Sequence, residues 1–359
     1  MIVGKYYLFY ELLQVALGHK GYLSHTPTEE EWYNIYKLSE RHALLGVIFY
    51  GVRKSGLRPP LQLLFQWIAD NEVVRHSNEI ANMAVQKVCR YFEQKGFRSC
   101  ILKGQGNTFC YPDPFIRTSG DIDIWLDGGR GKILKMVNEK WTKLLERYHH
   151  VEIPAVDGVP VEVHFFPSYM HSPRNNKRLQ EWFERFAGNQ FANKVVLPGQ
   201  QELISIPTAD FNLIYQLQHM FSHLFTEGFG LRQVVDYYFV LINANLTNVM
   251  EIQKTLHHLG LYKFAGAMMW VMKDVLCLED KYIIVEPDEK EGRFLLSEIM
   301  QSGNMGHYDI RLGKTSGEGV IHRYFRMTYR NMRFIRHYPE EALCEPLFRT
   351  WYYFWRKTH

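Results

Sequence analysis

Ser119-Gly120-Asp121-Ile122-Asp123-Ile124-Trp125-Leu126 sets two carboxylates two residues apart in an otherwise apolar run. Alternation with a period of two reads as a β-strand, where residues i and i+2 point to the same face. Asp121 and Asp123 then stand side by side, their α-carbons roughly 6–7 Å apart. Adjacent carboxylates repel unless a proton or a cation lies between them. A hard divalent ion such as Mg²⁺ meets that demand, because it takes oxygen ligands and shares them with substrate phosphates. By the same logic Asp123→Asn is expected to relieve repulsion in the metal-free protein.

On the N-terminal side, Phe97 to Leu102 is short and apolar enough for a buried strand. It runs into Lys103-Gly104-Gln105-Gly106, and Pro112 and Pro114 break the chain before Arg117. On the C-terminal side, Asp127-Gly128-Gly129 closes the strand, and Lys132 to Tyr148 reads as an amphipathic helix. Val151 to Val156 and Val159 to Phe165, joined by Asp157-Gly158, read as a β-hairpin with a two-residue turn. In its second strand Glu162 and His164 share a face, opposite Val161 and Val163. Two further short strands are expected near 194–197 and 202–206.

Helical patterns enclose this unit. Thr26-Pro27-Thr28-Glu29 reads as a helix start, with Thr26 as cap, Pro27 at the first helical position and Glu29 closing a capping box. The helix that follows is expected to stop at Gly51. A long helix follows Pro59-Pro60 and ends before Gly96. From Thr208 onward the chain is helical again, with His219 and His223 on one helix and Arg232 and Asp236 on the next. The expected fold class is α+β: a small mixed sheet flanked by helical regions. The divisions are an N-terminal helical region 1–95, an α/β core 96–207 and a C-terminal helical region 208–359.

Three carboxylates on adjacent strands (Asp121, Asp123 and Glu162) suit two metal ions about 3.5–4 Å apart, which clamp the attacking and leaving oxygens of a phosphoryl or nucleotidyl transfer. A glycine turn beside them lets backbone N–H groups approach a triphosphate. With Leu102-Lys103-Gly104, Tyr111-Pro112-Asp113-Pro114, Arg117, Gly120-Asp121-Ile122-Asp123 and Glu162-Val163-His164 in place, the chain resembles the uncharacterised nucleotidyltransferase branch of the DNA polymerase β-like superfamily. His219, His223, Arg232 and Asp236 resemble that branch's later His-x-x-x-His and Arg/Asp positions. The resemblance spans roughly 95–240. The chain departs from the superfamily's usual Gly-Ser or Gly-Gly turn, having Gly104-Gln105 after a lysine.

The resemblance implies a Mg²⁺-dependent transfer of a nucleoside monophosphate from an NTP to a hydroxyl acceptor, which is a small molecule, a protein side chain or an RNA end. Asp121, Asp123 and Glu162 would hold two Mg²⁺ ions, and Glu162 would take the acceptor's proton. Lys103, Gly104, Arg117 and Gly120 would bind the nucleotide, with Lys103 and Arg117 facing phosphate charge. His164, His219, His223, Arg232 and Asp236 would line or support the cleft. The alternative is a non-catalytic nucleotide-binding or regulatory module of the same fold.

Other features read more plainly. His219 and His223 have two-His zinc spacing, but no Glu lies between them, so a metalloprotease motif is excluded. Gly313-Lys314-Thr315 lacks the first glycine of a P-loop, since position 308 is Tyr308. Gly303 to His307 reads as an ordinary turn-rich loop. Arg323, Arg326, Arg330, Arg333 and Arg336 read as a helix face paired with acidic neighbours, so no nucleic-acid partner is assigned. In a chain of 359 residues, 46% hydrophobic with net charge +4, the charge permits a phosphate-bearing partner without demanding one. No run is long enough to span a membrane, and no signal peptide is read in 1–23. Five cysteines, odd in number and without metal spacing, point to reduced thiols and a cytoplasmic location.

Overall fold

The computed structural model describes residues 4, 6–312 and 319–358; the Gly313-Lys314-Thr315 stretch lies outside them. Helices α1 (Tyr7–Leu17), α2 (Glu29–Arg41), α3 (Leu45–Ser55) and α4 (Leu61–Gln94) lead into strand β1 (Ser99–Ile101). A 3₁₀ turn, Gly104–Cys110, separates it from β2 (Ile122–Leu126). Helix α5 (Gly129–Lys140), strands β3 (Leu145–Glu146), β4 (His150–Val156) and β5 (Val159–His164), and helix α6 (Pro173–Ala192) follow. The chain continues through β6 (Lys194–Val196), β7 (Leu203–Ser205), α7 (Ala209–Phe225), α8 (Leu231–Asn243), α9 (Val249–His258) and α10 (Tyr262–Trp270). Helices α11 (Glu289–Ser302), α12 (Val320–Met332) and α13 (Pro339–Thr358) complete it.

Five strands form one mixed sheet in the order β1-β2-β5-β4-β3, with β2 and β5 parallel and the other neighbours antiparallel. The period-2 pattern divides β2 as the sequence implies. Ile122, Ile124 and Leu126 join Val161 and Val163 in an apolar layer with Ala84, Val85 and Val88 of α4 and Ile133 and Val137 of α5. Burying each such large side chain contributes about 1.5–3 kcal/mol. The opposite face carries Asp123 and Trp125, and Trp125 packs on Phe191 of α6 and Phe211 of α7. The carboxylate therefore sits between the sheet and the C-terminal helices. The fold class is α+β, a small mixed sheet with helical flanks.

Several boundaries differ from expectation. The α2 cap is Thr28, not Thr26, in a capping box with Glu31. The chain from 29 to 55 is two helices: Ala43 at φ 54° ends the first turn system, and the second runs on past Gly51 to a left-handed Gly56. Helix α5 stops at Lys140 because Trp141 turns to an extended conformation, so residues 145–146 form the edge strand β3 instead of helix. Helix α6 had no counterpart in the sequence reading, although Ser172 caps it and Pro173 occupies its first turn. Among the described residues no helix is long and apolar enough to cross a membrane.

Candidate active site

The parallel pairing of β2 with β5 sets Asp123 directly opposite Glu162, so both carboxylates leave the same sheet face. Their oxygens and a ring nitrogen of His164 lie within 4.8 Å of one another. Asp121 immediately precedes β2 and lines the same cavity as Asp123, but it is outside that three-residue group. The cavity measures about 250 Å³. Lys103, Gly104, Arg117, Gly120, Asp121, Asp123, His219, His223, Arg232 and Asp236 all line it. Glu162 and His164 do not; they stand behind Asp123.

Asp123 is almost fully buried, and two cations account for its ionisation. Lys103 Nζ lies 3.2 Å from Oδ1, and His164 Nε2 donates to the same oxygen at 3.0 Å. Burial alone would raise the Asp123 pKa, but Lys103 and the His164 hydrogen bond hold it well below the usual carboxylate range. Burial works against the proton on His164 too, yet Asp123 and Glu162 raise its pKa to about 9. Lys103 is raised despite burial, by Asp123 and Asp121. Glu162 is pushed up by burial, with Asp123 adding to the effect. Asp123 Oδ2 is buried and has no hydrogen-bond partner.

Lys103 Nζ also donates to His219 Nε2 at 3.1 Å, and His223 Nε2 lies 3.0 Å from the same nitrogen. Burial and Lys103 hold both rings neutral, His223 at about 3 and His219 well below its ordinary value. The glycine after Lys103 turns the chain at φ +58°, and a Cβ there would meet the Asp121 carbonyl oxygen at 3.4 Å.

Arg117 was expected to face phosphate. Its guanidinium instead makes two 2.8 Å hydrogen bonds to Asp236, which also accepts from Tyr111. Arg232, one turn earlier on α8, donates to the Thr118 carbonyl and has no ion pair among the described residues; its Nε has no partner. Among the described residues it is the cavity cation without a carboxylate ion pair. Asn107, Gln216, Met220, Gln233 and Met305 line the cavity without having been anticipated. Gln216, Met220 and His223 recur at three- to four-residue steps, a signal that α7 turns one face to the site. Met305 comes from the loop read as an ordinary turn, and accepts a hydrogen bond from Gln233.

Facing carboxylates on a parallel strand pair, above a cavity lined by cations, define a nucleotidyltransferase-like protein. Residues 28–276 match the family described as uncharacterised nucleotidyltransferase, and the chain belongs to that family. The match reaches beyond the span of the sequence motifs, taking in α2 to α4 and α9 to α10. A solved antigenic nucleotidyltransferase-like protein from Paracoccidioides brasiliensis is similar at 12% identity, over 57% of this chain and 93% of its own, with a TM-score of 0.32. No curated protein matches the sequence.

Proposed function

We propose that the protein is a Mg²⁺-dependent nucleotidyltransferase that moves a nucleoside monophosphate from an NTP to a hydroxyl acceptor and releases pyrophosphate. The observation that carries this reading is the Asp123–Glu162 register pair behind a cavity that also holds Asp121, Lys103 and Arg232. The residues fit the ion: Asp123 Oδ2 is a buried anion oxygen with no partner, and Glu162 and Asp121 add oxygen ligands. Asp121, Asp123 and Glu162 would hold Mg²⁺, which supplies Lewis-acid stabilisation of charge on the transferring phosphate.

The remaining chemistry belongs to the side chains. Arg232 and Lys103 face the triphosphate, and Arg232 has donors to spare for a bidentate phosphate contact. The acceptor hydroxyl oxygen forms a bond to the α-phosphorus as the bond to the bridging oxygen of pyrophosphate breaks. Glu162, its pKa raised by burial, stands behind Asp123 and takes the hydroxyl proton through one bridging water. Arg117 acts through Asp236 to fix α8, and so positions Arg232. The five free cysteines suit a reducing compartment, and we place the protein in the cytosol.

Calorimetry of NTP binding with and without Mg²⁺, followed by incubation of labelled NTPs with protein and cell extract, tests the reading. Label transferred to an acceptor supports it. Binding without transfer indicates a non-catalytic nucleotide-binding module, and no binding sinks both.

A further inference from the structure

Behind the carboxylates the polar row continues from His164 into two more imidazoles, His149 and His150, that the nucleotidyltransferase chemistry does not use. His150 Nδ1 lies 3.4 Å from Glu162 Oε2, and His149 Nε2 lies 3.2 Å from the same His150 nitrogen. One ring nitrogen from each of His149, His150 and His164 falls within 4.8 Å of the others. His150 and His164 are both more than nine-tenths buried, at 7% and 2% exposure. His149 Nδ1, His150 Nε2 and His164 Nδ1 are buried without any hydrogen-bond partner.

The backbone makes this group. The turn at Asp157-Gly158 pairs Val156 with Val159. A hairpin continued in that register would set Val151 opposite His164. An irregularity between Ile153 and Val156 shifts the pairing by one residue, so His150 stands opposite His164 and Glu152 opposite Glu162. A one-residue shift exchanges the faces of a strand, so the bulge brings His150 onto the carboxylate face.

We propose that His149, His150 and His164 form a binding site for a divalent transition-metal ion of zinc-like chemistry, separate from the oxygen ligands of Asp121 and Asp123. Nitrogen donors select such an ion over Mg²⁺, which takes oxygen. His164 keeps Nε2 on Asp123 and has Nδ1 without a hydrogen-bond partner, while His150 turns Nδ1 toward Glu162 and His149 and has Nε2 4.0 Å from Glu152. A carboxylate behind one nitrogen of an imidazole and a metal on the other is the usual arrangement of histidine ligands. Burial holds His149 and His150 neutral, the form that ligates. His164 holds a proton against Asp123 and Glu162, and an ion binding at its other nitrogen displaces one proton to solvent. Left empty, the buried ring nitrogens without hydrogen bonds are unsatisfied polar groups, which burial penalises. Glu162 supplies the negative charge that a dication in this pocket needs.

The test uses the untagged full chain, stripped with a chelator and kept free of nucleotide, so that the outcome is independent of NTP binding. Co²⁺ is titrated while visible absorption is recorded, and Zn²⁺ and Mg²⁺ are then added in competition. The expected result is about one equivalent of Co²⁺ with d–d bands, displaced by Zn²⁺ and not by Mg²⁺. His149→Ala/His150→Ala should weaken Co²⁺ binding by more than about tenfold, with circular dichroism confirming the fold. Absence of d–d bands, displacement by Mg²⁺, or equal affinity in the variant would overturn the site. Should the double variant fail to fold, His149→Ala alone, at the half-buried position, is titrated; unchanged affinity there overturns the site equally.

Discussion

Asp123 is surrounded by cations, and this changes what its removal does. The sequence suggested carboxylate repulsion that Asp123→Asn would relieve. In the structure the nearest charges are Lys103 and a His164 with a pKa near 9. Asp123→Asn leaves both without their main anion, and breaking a buried pair costs on the order of 3 kcal/mol. The variant is expected to be less stable than wild type in metal-free urea denaturation, and to lose transfer activity by at least about 10²–10³. Comparable transfer in the two proteins would remove Asp123 from the active site. A second residue is expected to contribute acid sensitivity. His42 is fully buried beneath Phe9 and accepts the Leu231 N–H at the start of α8; burial, with Arg41 adding, lowers its pKa to about 3. Its depressed pKa contributes stability above the unfolded value near 6.5 and loses it as pH falls toward 3. At pH 5 that loss reaches about 2 kcal/mol. His42→Asn keeps an acceptor without the titration, so its stability should fall less than wild type between pH 7.5 and pH 5. Parallel pH profiles would exclude His42 as a source of the loss.

At the scale of elements, α4 connects the N-terminal helices to the site. Asn78 at its middle donates to the Phe115 and Arg117 carbonyls, and Asn82 receives Gln105 from the 3₁₀ turn after Lys103. Asn78→Ala leaves buried carbonyls unsatisfied, which costs about 1–3 kcal/mol. It should also reduce the stabilisation that Mg²⁺ and NTP confer in a melting assay, because the loop bearing Arg117 loses its anchor. If only intrinsic stability changes, α4 is scaffold and not part of the site's support. What the sequence made legible follows from which signals are local. The β2 alternation, the Asp157-Gly158 turn and the face shared by Glu162 and His164 are local, and the structure has them. Helix α6 was legible in its Ser172-Pro173 start but was passed over. The hairpin bulge was not legible: no residue type marks it uniquely, and with regular pairing His150 falls on the other face. The pairing of Arg117 with Asp236 spans 119 residues and depends on how α8 packs, which no short pattern encodes.

For the whole molecule, that pair fixes the C-terminal helices against the sheet unit. Arg117 and Asp236 are about 5% exposed or less, and Tyr111 donates to the same carboxylate. Removing one partner strands a buried charge and should cost about 3–5 kcal/mol, whereas replacing both by apolar residues of similar size should recover much of it. Arg117→Met and Asp236→Leu are therefore expected to be strongly destabilising singly and close to wild type together in denaturant titrations. Arg232 behaves oppositely. Burial, with Arg117 adding, lowers its pKa, so its charge is a burden on the metal-free and nucleotide-free fold. Arg232→Met should leave intrinsic stability unchanged or raise it, while shrinking the stabilisation by NTP, since ligand linkage reports only affinity for the folded state. The contrast would separate the two arginines by role: one that holds the molecule together, the other proposed to meet phosphate. If Arg232→Met lowers intrinsic stability as much as Arg117→Met and leaves the NTP-induced shift intact, Arg232 is a structural cation and the phosphate contact must lie elsewhere in the cavity.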